Sequence, residues 1–384
     1  MAARRGRGEG TCSEVSPGRW RGRISLGTAA SGKRIRKVVY AGTKRECLEK
    51  LRNLQTSADS GHLTDADGLT VAQFVRRWLG MVAPTLKPGT PERYAGLVEH
   101  LIPHLGTMKL AKFQPIHVEH SLMELAKSPG VSAWTRRKCG AMLSTSLKHA
   151  VRLKLIPSNP AAEVKLAKPK AREMAMMTAE QARLFLNVAS PHRLYALFAL
   201  ALGTGLRQGE LLGLTWGDVD LDVGTVAVRR TLAYRGGEFV LGTPKRAASR
   251  RTVQLPAPCV LALQAHRAAM IGEGQGGAPV FCTRVGTYIE KNNLAKQIYT
   301  PMLARARARA AEADAEPITQ KLRFHDLRHT HASLLISAGE SLKAVSRRLG
   351  HGSVAITLTT YAHLMPNDDA KLAMKSASIF WPAV

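Results

Sequence analysis

Acidic and aromatic residues are both scarce in this chain, and no apolar stretch is long. Of 384 residues only 28 are Asp or Glu against 56 Lys and Arg, a formal net charge of +28. That excludes an ordinary cytosolic charge balance and implies an anionic partner. Aromatics make up 5% of the chain, yet 45% of residues are apolar, enough to bury cores for two or three domains. The longest uninterrupted apolar run, Leu194 to Leu202, is about half of the ~20 residues that span a bilayer, so no transmembrane helix is expected. From Arg4 the N-terminus is basic, but Gly, Glu and Ser follow rather than an apolar stretch with a cleavage site, which argues against secretion. The five cysteines, Cys12, Cys47, Cys139, Cys259 and Cys282, are odd in number and widely spaced, with no Cys-x-x-Cys pair. Reduced thiols in a cytoplasmic protein are expected, not a disulfide framework or a zinc ribbon.

The positive excess is spread along the chain: 14 basic against 5 acidic residues in 1–60, 15 against 7 in 61–168, and 27 against 16 in 169–384. One basic tail would read as a solvated arm. An excess in every segment reads as a protein that encloses a polyanion and neutralises its phosphates, for which duplex DNA or structured RNA fits best. An anionic membrane surface would call for a long basic amphipathic helix with an aromatic face, and none is found.

The pattern of elements is mainly α with small β-sheets. Residues 1–18, rich in Gly, Arg and Ser, are expected to be disordered. Trp20 to Leu26 and Ile35 to Tyr40 read as strands around a Gly27–Gly32 turn, and Thr43 caps a helix over 44–54. This small sheet would carry Arg21, Arg23, Arg34, Arg36 and Lys37 to a DNA groove, although basic residues also protect solvated sheet edges. Residues 64–168 read as a helical bundle, with stripes at Val71, Phe74, Val75, Trp78, Leu79 and at Tyr94, Leu97, Val98, Leu101. Further helices are expected at 116–125 and 133–151. Pro157-Ser158-Asn159-Pro160 and the Lys- and Pro-rich 165–170 end it, placing a boundary near Lys170. A mixed α/β domain over 172–384 opens at the N-cap Thr178, with a strand over 226–232, a Gly236-Gly237 hairpin and a third strand over 251–255.

Chemistry-bearing residues gather at four places in this last domain. Gly203-Thr204-Gly205-Leu206-Arg207-Gln208-Gly209-Glu210 sets an Arg at a helix start, where backbone amides already favour an anion. Thr243-Pro244-Lys245-Arg246 follows the hairpin. In Phe324-His325-Asp326-Leu327-Arg328-His329-Thr330-His331, His325 and Arg328 share a helix face and could grip one phosphate. His325 and His329 have the spacing of helical zinc pairs, but no Glu follows as a base and no cysteine lies near, so buried, hydrogen-bonded histidines are expected and no metal. Leu349-Gly350-His351-Gly352-Ser353 precedes Tyr361 by ten residues, and 342–361 has the outline of a helix-turn-helix.

In this order and spacing, Arg207, Lys245, His325-x-x-Arg328, His351 and Tyr361 resemble the tyrosine recombinase (phage integrase) family over about residues 175–365. The only mild departures are Gln208 and Gly352, where a Ser is more usual. The bundle resembles that family's core-binding domain and residues 1–60 its arm-binding domain. The resemblance implies metal-free, cofactor-free DNA cleavage and rejoining. Tyr361 would attack phosphorus to form a 3′-phosphotyrosine, Arg207 and Arg328 would clamp the non-bridging oxygens, and Lys245 would protonate the leaving 5′ oxygen. His325 would act as acid or base near the phenol, His351 would donate to a phosphate oxygen, and Glu210 would orient Arg207 or a histidine. It also implies double-stranded DNA with core and arm sites, a homotetramer on that DNA, and accessory DNA-bending or directionality proteins; the apolar segment 370–381 suits docking on a neighbouring copy and packing on its own domain equally.

Three other readings remain at this point. A helix-turn-helix regulator would explain the charge and residues 342–361 but leaves the Arg, Lys and His set unused. A type IB topoisomerase uses similar residues but fits poorly with the N-terminal region and the short chain. A chromosome-dimer-resolving recombinase would generally lack the arm-binding domain.

Overall fold

At the N-terminus Pro17-Gly18 makes a two-residue turn, with Gly18 at φ 73°, the left-handed conformation glycine adopts without steric cost. It joins β1 (Thr11–Ser16) to β2 (Arg19–Thr28), which pairs with β3 (Arg34–Ala41) in an antiparallel sheet of order β1-β2-β3. The computed structural model describes residues 10–28, 34–59, 68–169, 174–243, 249–277, 279–362 and 369–380. The chain divides into two compact units, Met1–Ala171 and Arg172–Val384. Disorder over 1–18 is corrected for residues 11–16: a polar segment becomes a strand because β2 completes its ladder, and Pro-Gly is the turn signal that composition hid. Residues 1–9 lie outside the described residues.

Helix α1 (Lys44–Asp59) covers one face of this sheet. A Cβ on Gly22 would come within 3.0 Å of Cys47 Sγ and 2.8 Å of Val39 Cγ2, so only glycine lets the helix sit this close. Ile24, Ala41, Cys47 and Leu51 are buried there. The register pairs Arg21 with Tyr40, Arg23 with Val38 and Ser25 with Arg36; strand alternation therefore puts Arg21, Arg23 and Arg36 together on the face away from α1. Lys37 pairs with Ile24 and belongs to the opposite face, since consecutive strand residues cannot share one. Arg34 pairs through its backbone with Thr28, beyond an irregularity in the ladder.

The bundle begins where Thr70 and Gln73 cap α2 (Val71–Val82) reciprocally, satisfying two otherwise unpaired amides. Val71, Phe74, Val75 and Trp78 pack with Leu97, Val98 and Leu101 of α3 (Thr90–Leu105), and Trp78 stacks on Tyr94 at 5.7 Å. Helices α4 (Pro115–Lys127) and α5 (Ala133–Arg152) close the core with Leu125, Cys139, Leu143 and Leu147. The apolar stripes of the sequence are plain core.

In the second unit Thr178 caps α6 (Ala179–Ala189) as expected, and α7 (Tyr195–Thr204) is buried on nearly every side. The short α8 (Gln208–Leu212) leads to β4 (Val219–Asp220), β5 (Thr225–Val228), β6 (Thr231–Arg235), β7 (Glu238–Gly242) and β8 (Arg251–Gln254). These form two sheets, β4-β5-β8 and the β6-β7 hairpin, so the strand expected over 226–232 is split. Its break falls at Arg229 and Arg230, which both reach the buried Asp218 carboxylate, at 3.9 and 3.2 Å, and anchor a corner between the sheets. Then come α9 (Ala257–Gly272), α10 (Lys291–Asn293), which runs through one π turn into α11 (Thr300–Glu312), α12 (Asp326–Ser337), α13 (Leu342–Leu349), α14 (Val354–Tyr361) and α15 (Asp369–Phe380). The fold is mainly α with small antiparallel sheets. No helix among the described residues is long and apolar enough to cross a membrane.

Candidate active site

Two left-handed glycines bring the sequence motifs together. Gly205, at φ 66°, ends α7; a Cβ there would lie 2.7 Å from both His331 Cδ2 and Leu349 Cδ2, so α12 and α13 close directly onto its backbone. Gly350, also at φ 66°, ends α13, and a Cβ there would meet Arg251 Nη1 at 2.8 Å. Any side chain at either position would be strained and would push these elements apart.

Arg207 sits just before α8. Its backbone N–H donates to Glu210 Oε2 at 3.0 Å, Nη1 donates to Glu210 Oε1 at 2.7 Å, and Nη2 donates to the Gly350 carbonyl at 3.2 Å. Arg328 is 3% exposed and donates to the carbonyls of Gly205 and Leu349 at 2.7 and 2.8 Å. Both guanidinium groups are thus pinned by consecutive carbonyls of residues 349 and 350. Burial, followed by the charge of Arg207, pushes Arg328 down to about 9. A cation held in a dry site by neutral carbonyls beside a second cation is a preorganised seat for an anion.

Glu210, 3% exposed, is the counter-charge. Arg251 Nη2 donates to its Oε2 at 3.0 Å, and Arg251 Nε donates to the Arg348 carbonyl at 2.7 Å. Burial opposes ionisation of Glu210, but Arg251 and Arg207 outweigh it and hold the carboxyl below its usual range. The carboxylate therefore fixes α8 to β8 and, through Arg251, to the segment that carries His351.

His351 shares a 2.7 Å hydrogen bond between Nδ1 and Thr357 Oγ1. Burial and then the charge of Arg328 push it down to about 4, so the ring is neutral near pH 7. Tyr361, 1% exposed, packs with Ala332, Ile336, Val345 and Leu349. Burial lifts its phenol to about 12, while Arg328 pulls the other way. Its Oη lies 2.6 Å from Nδ1 of His329. His325, at the start of α12, sets its ring edge-on to that of His329, with centroids 5.2 Å apart, and partial desolvation, His329 and Arg328 lower its basicity.

Arg207, Glu210, His325, Arg328, His351 and Tyr361 are thus drawn into one cluster by α8, α12, α14 and the turn after α13. Lys245 and Arg246 lie outside the described residues, three and four positions beyond the end of β7. Arg21, Arg23, Arg34, Arg36 and Lys37 belong to the other unit. Sequence reasoning gave no catalytic task to His329, which it weighed as half of a zinc pair or as a buried, hydrogen-bonded histidine, and none to Arg251, which it read as the start of a strand. His331 behaves as expected of a buried histidine: Nδ1 pairs with the Leu202 carbonyl at 2.7 Å and Nε2 with Arg348 Nε at 3.2 Å.

Residues 175–368 match the phage integrase family, and residues 70–126 match the phage integrase N-terminal SAM-like domain. The chain belongs to the phage integrase family. It is a site-specific tyrosine recombinase, an enzyme that cuts and rejoins DNA strands. A XerC-like tyrosine recombinase of Caldanaerobacter subterraneus subsp. tengcongensis is 30% identical, covering 89% of this chain and 92% of its own. An integrase of Streptomyces ambofaciens is 31% identical over 94% of each chain. Among solved structures, the Tn1549 transposon integrase in complex with a circular intermediate DNA superposes with a TM-score of 0.67 at 21% identity, over 80% of this chain and 99% of that one. A lambda integrase tetramer bound to a Holliday junction gives 0.57 at 17% identity, over 95% and 97%. These two likenesses establish that this recombinase shares the integrase fold.

Proposed function

We propose that this recombinase is an integrase that inserts or excises a mobile element in the cytoplasm, through a 3′-phosphotyrosine on Tyr361. The observation that carries this reading is the single cluster in which two carbonyl-pinned guanidiniums, a neutral His351 and a hydrogen-bonded phenol meet.

A scissile phosphate seated between Arg207 and Arg328 would have its non-bridging oxygens neutralised as the phosphorane-like transition state gains charge. His325 and His351 would supply further hydrogen bonds to that phosphate. The Tyr361 oxygen attacks phosphorus, the bond to the 5′ oxygen breaks, and Lys245 supplies the proton that the leaving oxygen takes up. The phosphotyrosine conserves the bond energy, so a 5′-hydroxyl from another strand can reverse the step without ATP. Glu210 orients Arg207 throughout.

The face carrying Arg21, Arg23 and Arg36 would read arm-type DNA, joined by Arg34 at the sheet's far end, while α2 to α5 would hold the core site. Lys37 on the other face and Arg246 beside Lys245 would serve as phosphate contacts. Strand exchange would run in a homotetramer on double-stranded DNA, and α15 exposes Met374 and Ile379 as apolar contacts for a neighbouring copy. Accessory DNA-bending or directionality proteins would set the direction of reaction. The XerC-like name of one relative favours chromosome-dimer resolution as the second reading, but the sheet and α1 at the N-terminus speak for an arm-reading integrase.

The test is a nicked duplex taken from the DNA flanking the chain's own coding sequence, labelled so that a trapped 3′ end is visible after denaturation. The expected result is a denaturant-stable adduct mapping to Tyr361, abolished in Tyr361→Phe while DNA affinity changes by less than about threefold, since only one neutral hydrogen bond is lost. An adduct that persists in Tyr361→Phe, or none with the native chain, would overturn the reading.

A further inference from the structure

We infer that His329 is the group that takes the proton from the Tyr361 phenol as the tyrosine attacks the scissile phosphate, an inference that rests on the strand-cleavage reading above. The 2.6 Å contact between His329 Nδ1 and Tyr361 Oη already has the reach a general base needs. It is also the phenol's one hydrogen bond among the described residues. Both ends are held. His329 follows Arg328 directly on α12; its carbonyl accepts from Ser333 Oγ at 2.8 Å, and its ring is braced by the edge of His325. Tyr361 is packed into the cluster formed by α12 and α13.

The electrostatics point the same way. A phenol lifted to about 12 by burial supplies almost no phenolate near neutrality, so attack needs a base within reach. Burial lowers His329 from its usual range, leaving a neutral imidazole with a lone pair to offer. Of the groups that face His329, Asp326 favours the imidazolium, while Arg328 and Arg323 oppose it. His325 and His351 are neighbours whose own basicity His329 depresses when charged. A short-lived imidazolium is therefore favoured by Asp326 alone.

The step balances without any further reactant. The Oη–H bond breaks and its proton passes to Nδ1; the freed oxygen pair forms the bond to phosphorus; the bond to the 5′ oxygen breaks, and that oxygen takes its proton from the acid assigned to Lys245. On rejoining, a 5′-hydroxyl gives its proton back to the group assigned to Lys245 and attacks phosphorus, the bond from phosphorus to the Tyr361 oxygen breaks, and the His329 imidazolium returns its proton to that oxygen. His325, to which the family resemblance assigns this task, makes no hydrogen bond to the phenol among the described residues and instead meets the ring of His329 edge to face.

Two variants separate proton transfer from simple positioning. His329→Asn offers an amide close to Nδ1 that can hold the phenol but cannot take its proton. His329→Ala leaves space for a soluble base. Single-turnover adduct formation on the nicked duplex should fall about 10²- to 10⁴-fold in His329→Ala, with DNA affinity within about threefold of native. Added imidazole and rising pH should each recover at least about tenfold, and His329→Asn should be no faster than His329→Ala by more than about threefold. Adduct formation at near-native rate in His329→Asn would show that the bond only positions the phenol and would overturn the inference. So would a loss in His329→Ala that neither imidazole nor pH recovers. A native chain that forms the adduct while both variants behave normally leaves the cleavage reading standing and removes only this one, whereas a native chain without an adduct removes both.

Discussion

Glu210 and His331 show how buried titratable side chains hold the site, and each makes a distinct demand on the rest of the protein. Glu210 is tolerated inside because two guanidiniums share it; removing one leaves a buried charge underpaired. Arg251→Ala should therefore destabilise the chain by about 3–5 kcal/mol in urea denaturation, more than loss of the exposed Arg183–Glu180 pair, and an effect under about 1 kcal/mol would show that water replaces the guanidinium. His331 has both ring nitrogens satisfied only as the neutral tautomer, and burial followed by Arg348 pushes it down to about 4. Its folded pKa lies below the unfolded value near 6.5, so the unfolded chain binds more protons between those limits and stability falls as pH drops through that window. The contribution is fully present above pH ~6.5 and amounts to ~3 kcal/mol at most. Denaturation midpoints of the native chain should fall between pH 7 and pH 4.5, and His331→Asn should flatten that part of the profile; an unchanged slope would mean the ring is protonated in the folded chain.

Helix α14 carries the proposed nucleophile, Tyr361, on few apolar contacts. Its buried residues are Thr357 and Tyr361, and each is tied to a histidine, His351 and His329, while Val354, Ile356 and Leu358 face solvent. By contrast most of α12 is buried. Backbone amides of α14 should therefore exchange with solvent at least about tenfold faster than those of α12, reporting local opening, and Tyr361→Phe should speed α14 further by up to about tenfold for one lost hydrogen bond; equal protection of the two helices would contradict this. What the sequence disclosed about such elements depended on the range of the signal. Thr178 before Ala179-Glu180-Gln181 announced α6 because a cap is local chemistry, and the Phe74 and Leu97 stripes announced core because helical period is local too. The order of Arg207, His325-x-x-Arg328, His351 and Tyr361 made the cluster readable through resemblance. The split at Arg229 and Arg230 was hidden because it depends on ion pairs with Asp218, which lies beyond the reach of a strand's two-residue period. The same holds for Arg251: a guanidinium on a strand looks the same in sequence whether it faces water or a buried carboxylate. His329 was visible as a residue, but its partner lies 32 positions away, at the end of another helix.

At the scale of the whole molecule the charge of +28 is divided among segments that can be tested separately. The N-terminal sheet presents Arg21, Arg23 and Arg36 on the face that α1 leaves open, where strand alternation keeps them clear of the buried Ile24, Ala41 and Cys47. Replacing all three with Ala should therefore spare the fold, in contrast to deletion of residues 1–60. If each neutralises one phosphate of arm-type DNA, the slope of log K against log salt should become shallower by about three. Cleavage at the core site, whose proposed catalytic residues all belong to Arg172–Val384, should continue at close to the native rate in both the triple variant and the deletion, while recombination that depends on arm DNA should fall in both. An unchanged salt slope in the triple variant would place the arm contacts elsewhere in the chain. Equal loss of core cleavage and recombination in the deletion would show that the N-terminal segment supports the active site itself.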